Sequence, residues 1–178
     1  MTVYLFNGYG VPEDIEGDAN YRTYLTAGLE RIRSDAFGAN LLAGLFGGLL
    51  PVQVRRTLPM VYLAGGATNP LWPDRTEAGE MRQWFRTQAQ DVEGALEFRL
   101  IDQPLDLRGN LEELRRQLEP DDRVTIFCEY ARQDWMRFMA WRMFGQRATV
   151  VPIHFDTNET PAVPAQAVAR PGNQGPGL

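Results

Sequence analysis

Val124-Thr125-Ile126-Phe127-Cys128-Glu129-Tyr130-Ala131-Arg132 is an apolar run that turns polar at Glu129 and leads into Trp135-Met136-Arg137-Phe138-Met139. Val124 to Cys128, apolar, β-branched or aromatic throughout, reads as a strand. Four other runs share that character: Val3–Phe6, Met60–Ala64, Phe98–Asp102 and Thr149–Phe155. Between the strands, apolar residues recur at helical spacing. Tyr21, Tyr24, Leu25, Leu29 and Ile32 follow Asp18, a suitable N-cap, and Met81, Trp84 and Phe85 follow Asp74 and Thr76. Leu107, Leu111, Leu114 and Leu118 mark a third helix, and Trp135, Phe138, Met139 and Met143 a fourth. The order βαβαβαβαβ predicts one α/β domain with a mostly parallel five-stranded sheet and right-handed crossovers.

The first crossover is long. Leu41, Leu42, Leu45, Phe46, Leu49 and Leu50 fall on one helical stripe, which predicts an inserted apolar helix at about residues 38–54. It is read as packing on the sheet, with an apolar lid, an acyl-binding wall or a dimer contact as alternatives. The domain is expected to span 1–156. From 157 to 178 the chain is rich in Pro, Gly, Ala and Gln and has no aromatic residue, which predicts a flexible tail.

The residue inventory excludes several chemistries. Of 178 residues, 18 are basic and all are Arg, so no lysine is present for a Schiff base, pyridoxal phosphate or a Walker-type phosphate loop. Ser34, His154 and Cys128 are each the only residue of their type, which rules out zinc sites built from His and Cys clusters. No metal site and no particular cofactor is expected. A net charge of −5 argues against nucleic acid and for a small-molecule or protein partner. The start Met1-Thr2-Val3-Tyr4 lacks a signal-peptide pattern, and Leu41–Leu50 is about half the ~20 residues of a membrane span. A cytoplasmic location is expected.

In open parallel sheets, ligands bind beyond the carboxyl ends of the strands. The loops there begin Asn7-Gly8-Tyr9-Gly10, Gly65-Gly66, Pro104-Leu105-Asp106 and Cys128-Glu129-Tyr130. The first glycine turn is read as exposing amides to an anion or carboxylate. With Thr76-Glu77-Ala78 opening the second helix, Asn110 following the third strand, and Arg137 in the fourth helix, the pattern resembles the YdcF/SanA-like domain of unknown function over residues 3–156. That resemblance implies a Rossmann-like three-layer sandwich with strand order 3-2-1-4-5 and a bacterial, cytoplasmic or envelope-linked setting. It also implies a nucleotide-derived ligand such as S-adenosylmethionine, or a phosphorylated envelope precursor. The chain departs from the family where many members carry Ser or Thr and a His near the fourth helix; here stand Cys128-Glu129 and Gln133-Asp134.

The favoured reading is a domain that binds, and either transforms or only holds, an anionic nucleotide-like or phosphorylated small molecule. Its ligand residues are Asn7, Gly8, Gly10, Gly65, Gly66, Asn110, Glu129, Arg132 and Arg137. Glu77 is the candidate functional carboxylate, with helix capping as the plain alternative. Cys128 and His154, at neighbouring strand ends, suggest a hydrolase or acyltransferase; the ordinary alternatives are a core cysteine and an edge-strand histidine. A third reading is a non-catalytic module, with the fourth helix in a homo-oligomer contact. Glu119-Pro120-Asp121-Asp122 reads as a solvated turn.

Overall fold

The Val124 run is the strand β4 (Arg123–Glu129), and it lies beside β1 (Thr2–Asn7), the strand 121 residues earlier by register. The computed structural model describes residues 1–46, 59–91 and 93–154. β2 (Met60–Ala64), β3 (Glu97–Ile101) and β5 (Ala148–Ile153) complete a sheet of order β3-β2-β1-β4-β5, with every pairing parallel. The fold is therefore an α/β three-layer sandwich of Rossmann-like topology.

Among the described residues, four α-helices cover the sheet. α1 (Ala19–Phe46) and α2 (Glu77–Gln88) lie on one face, and α3 (Leu107–Gln117) and α4 (Gln133–Phe144) on the other. Successive β1 side chains point to opposite faces, so Tyr4 and Phe6 meet α1 and α2 while Val3 and Leu5 meet α3 and α4. Both sets are buried, which is why β1 shows no polar alternation. The α1–α2 side is aromatic: Phe6 stacks on Phe127 at 4.6 Å and meets Phe85 edge-on at 5.1 Å. The caps follow the sequence. Asp18, Thr76 and Asp106 each accept a backbone N–H from the first turn of their helix.

Three expectations change. The inserted helix predicted at 38–54 is not separate within the described residues, because the α1 backbone runs unbroken from Ala19 to Phe46; residues 47–54 lie outside the described part, as does the tail 157–178. In α4 the face turned to the sheet carries Met136, Ala140 and Phe144, while Trp135 and Phe138 are exposed. Asp122 is buried rather than solvated, its carboxylate accepting the Glu119 N–H at 3.0 Å. Among the described residues, no helix is long and apolar enough to cross a membrane.

Candidate functional site

β1 and β4 are adjacent, but the chain leaves β1 toward α1 on one face and β4 toward α4 on the other. Their carboxyl ends therefore part, opening the crevice that parallel sheets use for ligands. The described β1–β4 pairing ends at Phe6 and Phe127. Beyond it, the Tyr24 hydroxyl of α1 accepts the Asn7 N–H at 3.0 Å and donates to the Phe127 carbonyl at 2.9 Å. One phenol thus satisfies a donor and an acceptor that the separating strands would leave unpaired. Tyr21 does the same for the next turn, accepting from Tyr9 N–H at 3.1 Å and donating to the Gly10 carbonyl at 2.7 Å. Both tyrosines are fully buried, and burial raises their hydroxyl pKa well above the ordinary value.

Glu77 sits beneath this turn. Thr76 caps α2, so Glu77 is free of that task and its side chain turns into the space between the loops after β1 and β2. A Cβ on Gly8 would lie 2.5 Å from the Glu77 Cβ, and one on Gly65 would lie 2.6 Å from it, so both glycines make room for this residue. Gly65 also needs its positive φ of 149°. The Glu77 carboxylate accepts the Thr68 hydroxyl at 2.7 Å and the Gly10 N–H. Burial raises its pKa above the usual carboxylate value; the Thr68 and Gly10 hydrogen bonds and the charge of Arg132 oppose that rise.

Most amides of the glycine turns are therefore engaged within the protein rather than turned out as the anion cradle expected of them. Gly8 N–H donates to the Ala64 carbonyl at 2.7 Å, Tyr9 N–H to Tyr21, and Gly10 N–H to Glu77. Gly65 N–H donates to the Ile101 carbonyl at 2.9 Å. The first amides of α2, from Glu77 to Glu80, are likewise taken by Gly66, Gly65 and Thr76. The amides accounted for here are spent inside the protein, and the group at the centre is a carboxyl.

Unspent polar groups lie on the other face. Asn7 follows Val3 and Leu5 in pointing toward α3 and α4, and it is 6% exposed. Among the described residues, neither Oδ1 nor Nδ2 of Asn7 has a hydrogen-bond partner, and neither has Oδ1 of Asn110, which is 3% exposed in the first turns of α3. Each such buried group costs about 1–3 kcal/mol unless something pairs with it. Helices joining parallel strands run antiparallel to them, so α3 and α4 begin at this same edge. There the 3-10 turn Tyr130–Arg132 and α4 start with no side-chain cap. Arg132, in the turn that follows β4, bonds Glu129 at 3.2 Å, and its charge opposes the burial-driven rise in the pKa of Glu77, Tyr24 and Cys128. Arg137 pairs with Asp134 at 3.7 Å and acts on Cys128.

Cys128 and His154 have separate surroundings. Cys128 is 3% exposed in the α3–α4 core and pairs across the sheet with Pro152; burial pushes its thiol up to about 11. His154 is exposed and stacks on Tyr130 with ring centres 3.9 Å apart. A thiolate nucleophile needs a lowered pKa and an adjacent base, and neither is present among these contacts.

A separate depression of about 410 Å³ lies between residues 13–16 and α2. Its Arg75 is bound by Glu80 at 2.7 Å and by the Pro12 and Glu13 carbonyls, so it has little cation left to offer. The crevice residues legible in sequence were Asn7, Glu77, Asn110 and Arg132; Tyr21, Tyr24 and Thr68 were not singled out. The signal missed was tyrosine, rather than phenylalanine, at two buried helical positions, where each hydroxyl demands a partner. No protein-family model, curated protein or solved structure matches the chain.

Proposed function

We propose that the protein binds a nucleotide-like small molecule in the crevice between β1 and β4, and that the YdcF/SanA-like likeness extends to this use of the fold. The observation that carries this reading is Asn7: a buried carboxamide with donor and acceptor both unpaired at the edge where such folds take ligands. A carboxamide offers a donor beside an acceptor, which complements the edge of a nucleobase or another amide. Asn110 supplies a second buried acceptor on the same face. The uncapped start of the Tyr130 turn, with Arg132, suits the anionic end of such a ligand. S-adenosylmethionine and phosphorylated nucleosides are the members of this class to try. The proposal covers binding and assigns no reaction.

The test is a thermal-shift and calorimetric panel of nucleosides, nucleotides and S-adenosylmethionine. A ligand at about 100 times its Kd stabilises by about 2.7 kcal/mol, or roughly 5–11 °C for a chain of this size. Asn7→Leu is expected to fold and to abolish the response. Arg132→Gln is expected to weaken only phosphorylated members. A silent panel, or an Asn7→Leu variant that responds like the parent, overturns the proposal.

A further inference from the structure

We infer that the protein associates with a second copy of itself through α4, in an antiparallel two-fold contact centred on Phe138. The inference stands apart from the ligand proposal. The solvent face of α4 carries three large apolar side chains, Trp135, Phe138 and Trp141, exposed by 46%, 53% and 68%. The fold itself is anchored by the opposite face, through Met136, Ala140 and Phe144. At about 100° per residue, Asp134, Trp135, Phe138, Trp141 and Arg142 fall within an arc of roughly 120° centred on Phe138.

The order of these residues reads the same way from either end: Asp134-Trp135, then Phe138, then Trp141-Arg142. That symmetry selects the occupant. A two-fold axis through Phe138 places Phe138 against its copy, and brings Asp134 and Trp135 of one helix level with Arg142 and Trp141 of the other. The carboxylate then has a guanidinium and an indole N–H within side-chain reach, and the indole of Trp135 has a guanidinium beside it. Each copy supplies one acid and one base, so the contact is neutral and its charges oppose correctly. A parallel arrangement puts like charges side by side and loses this match. Within one chain the same groups are poorly used. Asp134 is 94% exposed and meets Arg137 only at 3.7 Å, while the Arg142 guanidinium stands 5.8 Å from the Phe138 ring centre. The twelve residues of α4 give a strip about 18 Å long, a small interface, so association is expected at roughly micromolar concentration.

Sedimentation velocity of the full chain from roughly 1 to 500 μM tests the inference, at the low end of interface sizes. The expected result is a monomer–dimer equilibrium that Phe138→Glu shifts to monomer. Asp134→Arg and Arg142→Asp are each expected to weaken association about tenfold or more, and the double reversal to restore most of it, because both copies then carry exchanged charges. All of these side chains are exposed, so unchanged melting temperatures show that the variants fold. A chain that stays monomeric throughout overturns the inference. So does a dimer indifferent to Phe138→Glu, or a double reversal no better than either single change.

Discussion

Gly8→Ala adds one methyl group at a backbone position whose φ is not positive, where the exchange ordinarily stabilises by about 0.4–1 kcal/mol by restricting the unfolded chain. Here it is expected to destabilise. The new Cβ would stand 2.5 Å from the Glu77 Cβ and 2.7 Å from its Cδ. The first of these atoms is fixed by the opening turn of α2, so no rotation of a side-chain tip relieves the contact. Either the β1 loop backs away from α2, or the carboxylate leaves its place between Thr68 and Gly10. Overpacking costs about 1–3 kcal/mol, and a hydrogen bond to a charged acceptor is worth about 1.5–3 kcal/mol. With the entropic gain subtracted from either cost, the net loss is about 0.5–2.5 kcal/mol, or roughly 1–10 °C in melting temperature for a domain of this size. Urea unfolding followed by circular dichroism measures it. Gly94→Ala is the control, since a Cβ there meets nothing within 4 Å and should be neutral or stabilising. If Gly8→Ala behaves like Gly94→Ala, the packing of Glu77 against the glycine turn is refuted.

Three further outcomes are expected. Tyr24→Phe leaves the Asn7 N–H and the Phe127 carbonyl without their shared partner and should cost about 2–4 kcal/mol in urea unfolding; a loss below about 0.5 kcal/mol contradicts the bridge. Because the folded-state pKa of Glu77 is raised, folding favours its protonated form, and the contribution of this group to stability falls as pH rises from its unfolded value through the folded one. Stability of Glu77→Gln relative to the parent should therefore improve as pH rises above the ordinary carboxylate value, and a relative decline sinks the assignment. With a thiol near 11, Cys128 should react with iodoacetamide at pH 8 far more slowly than a free thiol of ordinary pKa, about 8.5, and fast alkylation of the folded protein would exclude the described burial.

The sheet was readable because its strands are covered twice. Met60–Ala64 is apolar throughout and Val124–Cys128 is so but for Thr125, as two-sided burial demands, and the order of the strands with helical stretches between them leaves few topologies. What the loops do with their hydrogen bonds was not readable. Gly8, Tyr9 and Gly10 look like a nest of free amides until Ala64, Tyr21 and Glu77 arrive from 12 to 67 residues further along the chain. No local pattern encodes that meeting. Helix α4 failed differently: Met, Trp and Phe surround it, so periodicity alone gives no reason to prefer the Met136 stripe over the Trp135 stripe.

The Tyr24 hydroxyl has a use for the experimenter. A phenolic proton donated to a strand carbonyl, on an oxygen that accepts a strand amide and is out of reach of solvent, is expected to exchange slowly enough to be followed as a resonance of its own, apart from the aromatic ring signals. Its line width and chemical shift would register any change in the spacing of β1 and β4, with no label introduced and no residue altered. The protein therefore carries an internal gauge at the mouth of the crevice, readable while candidate ligands are titrated.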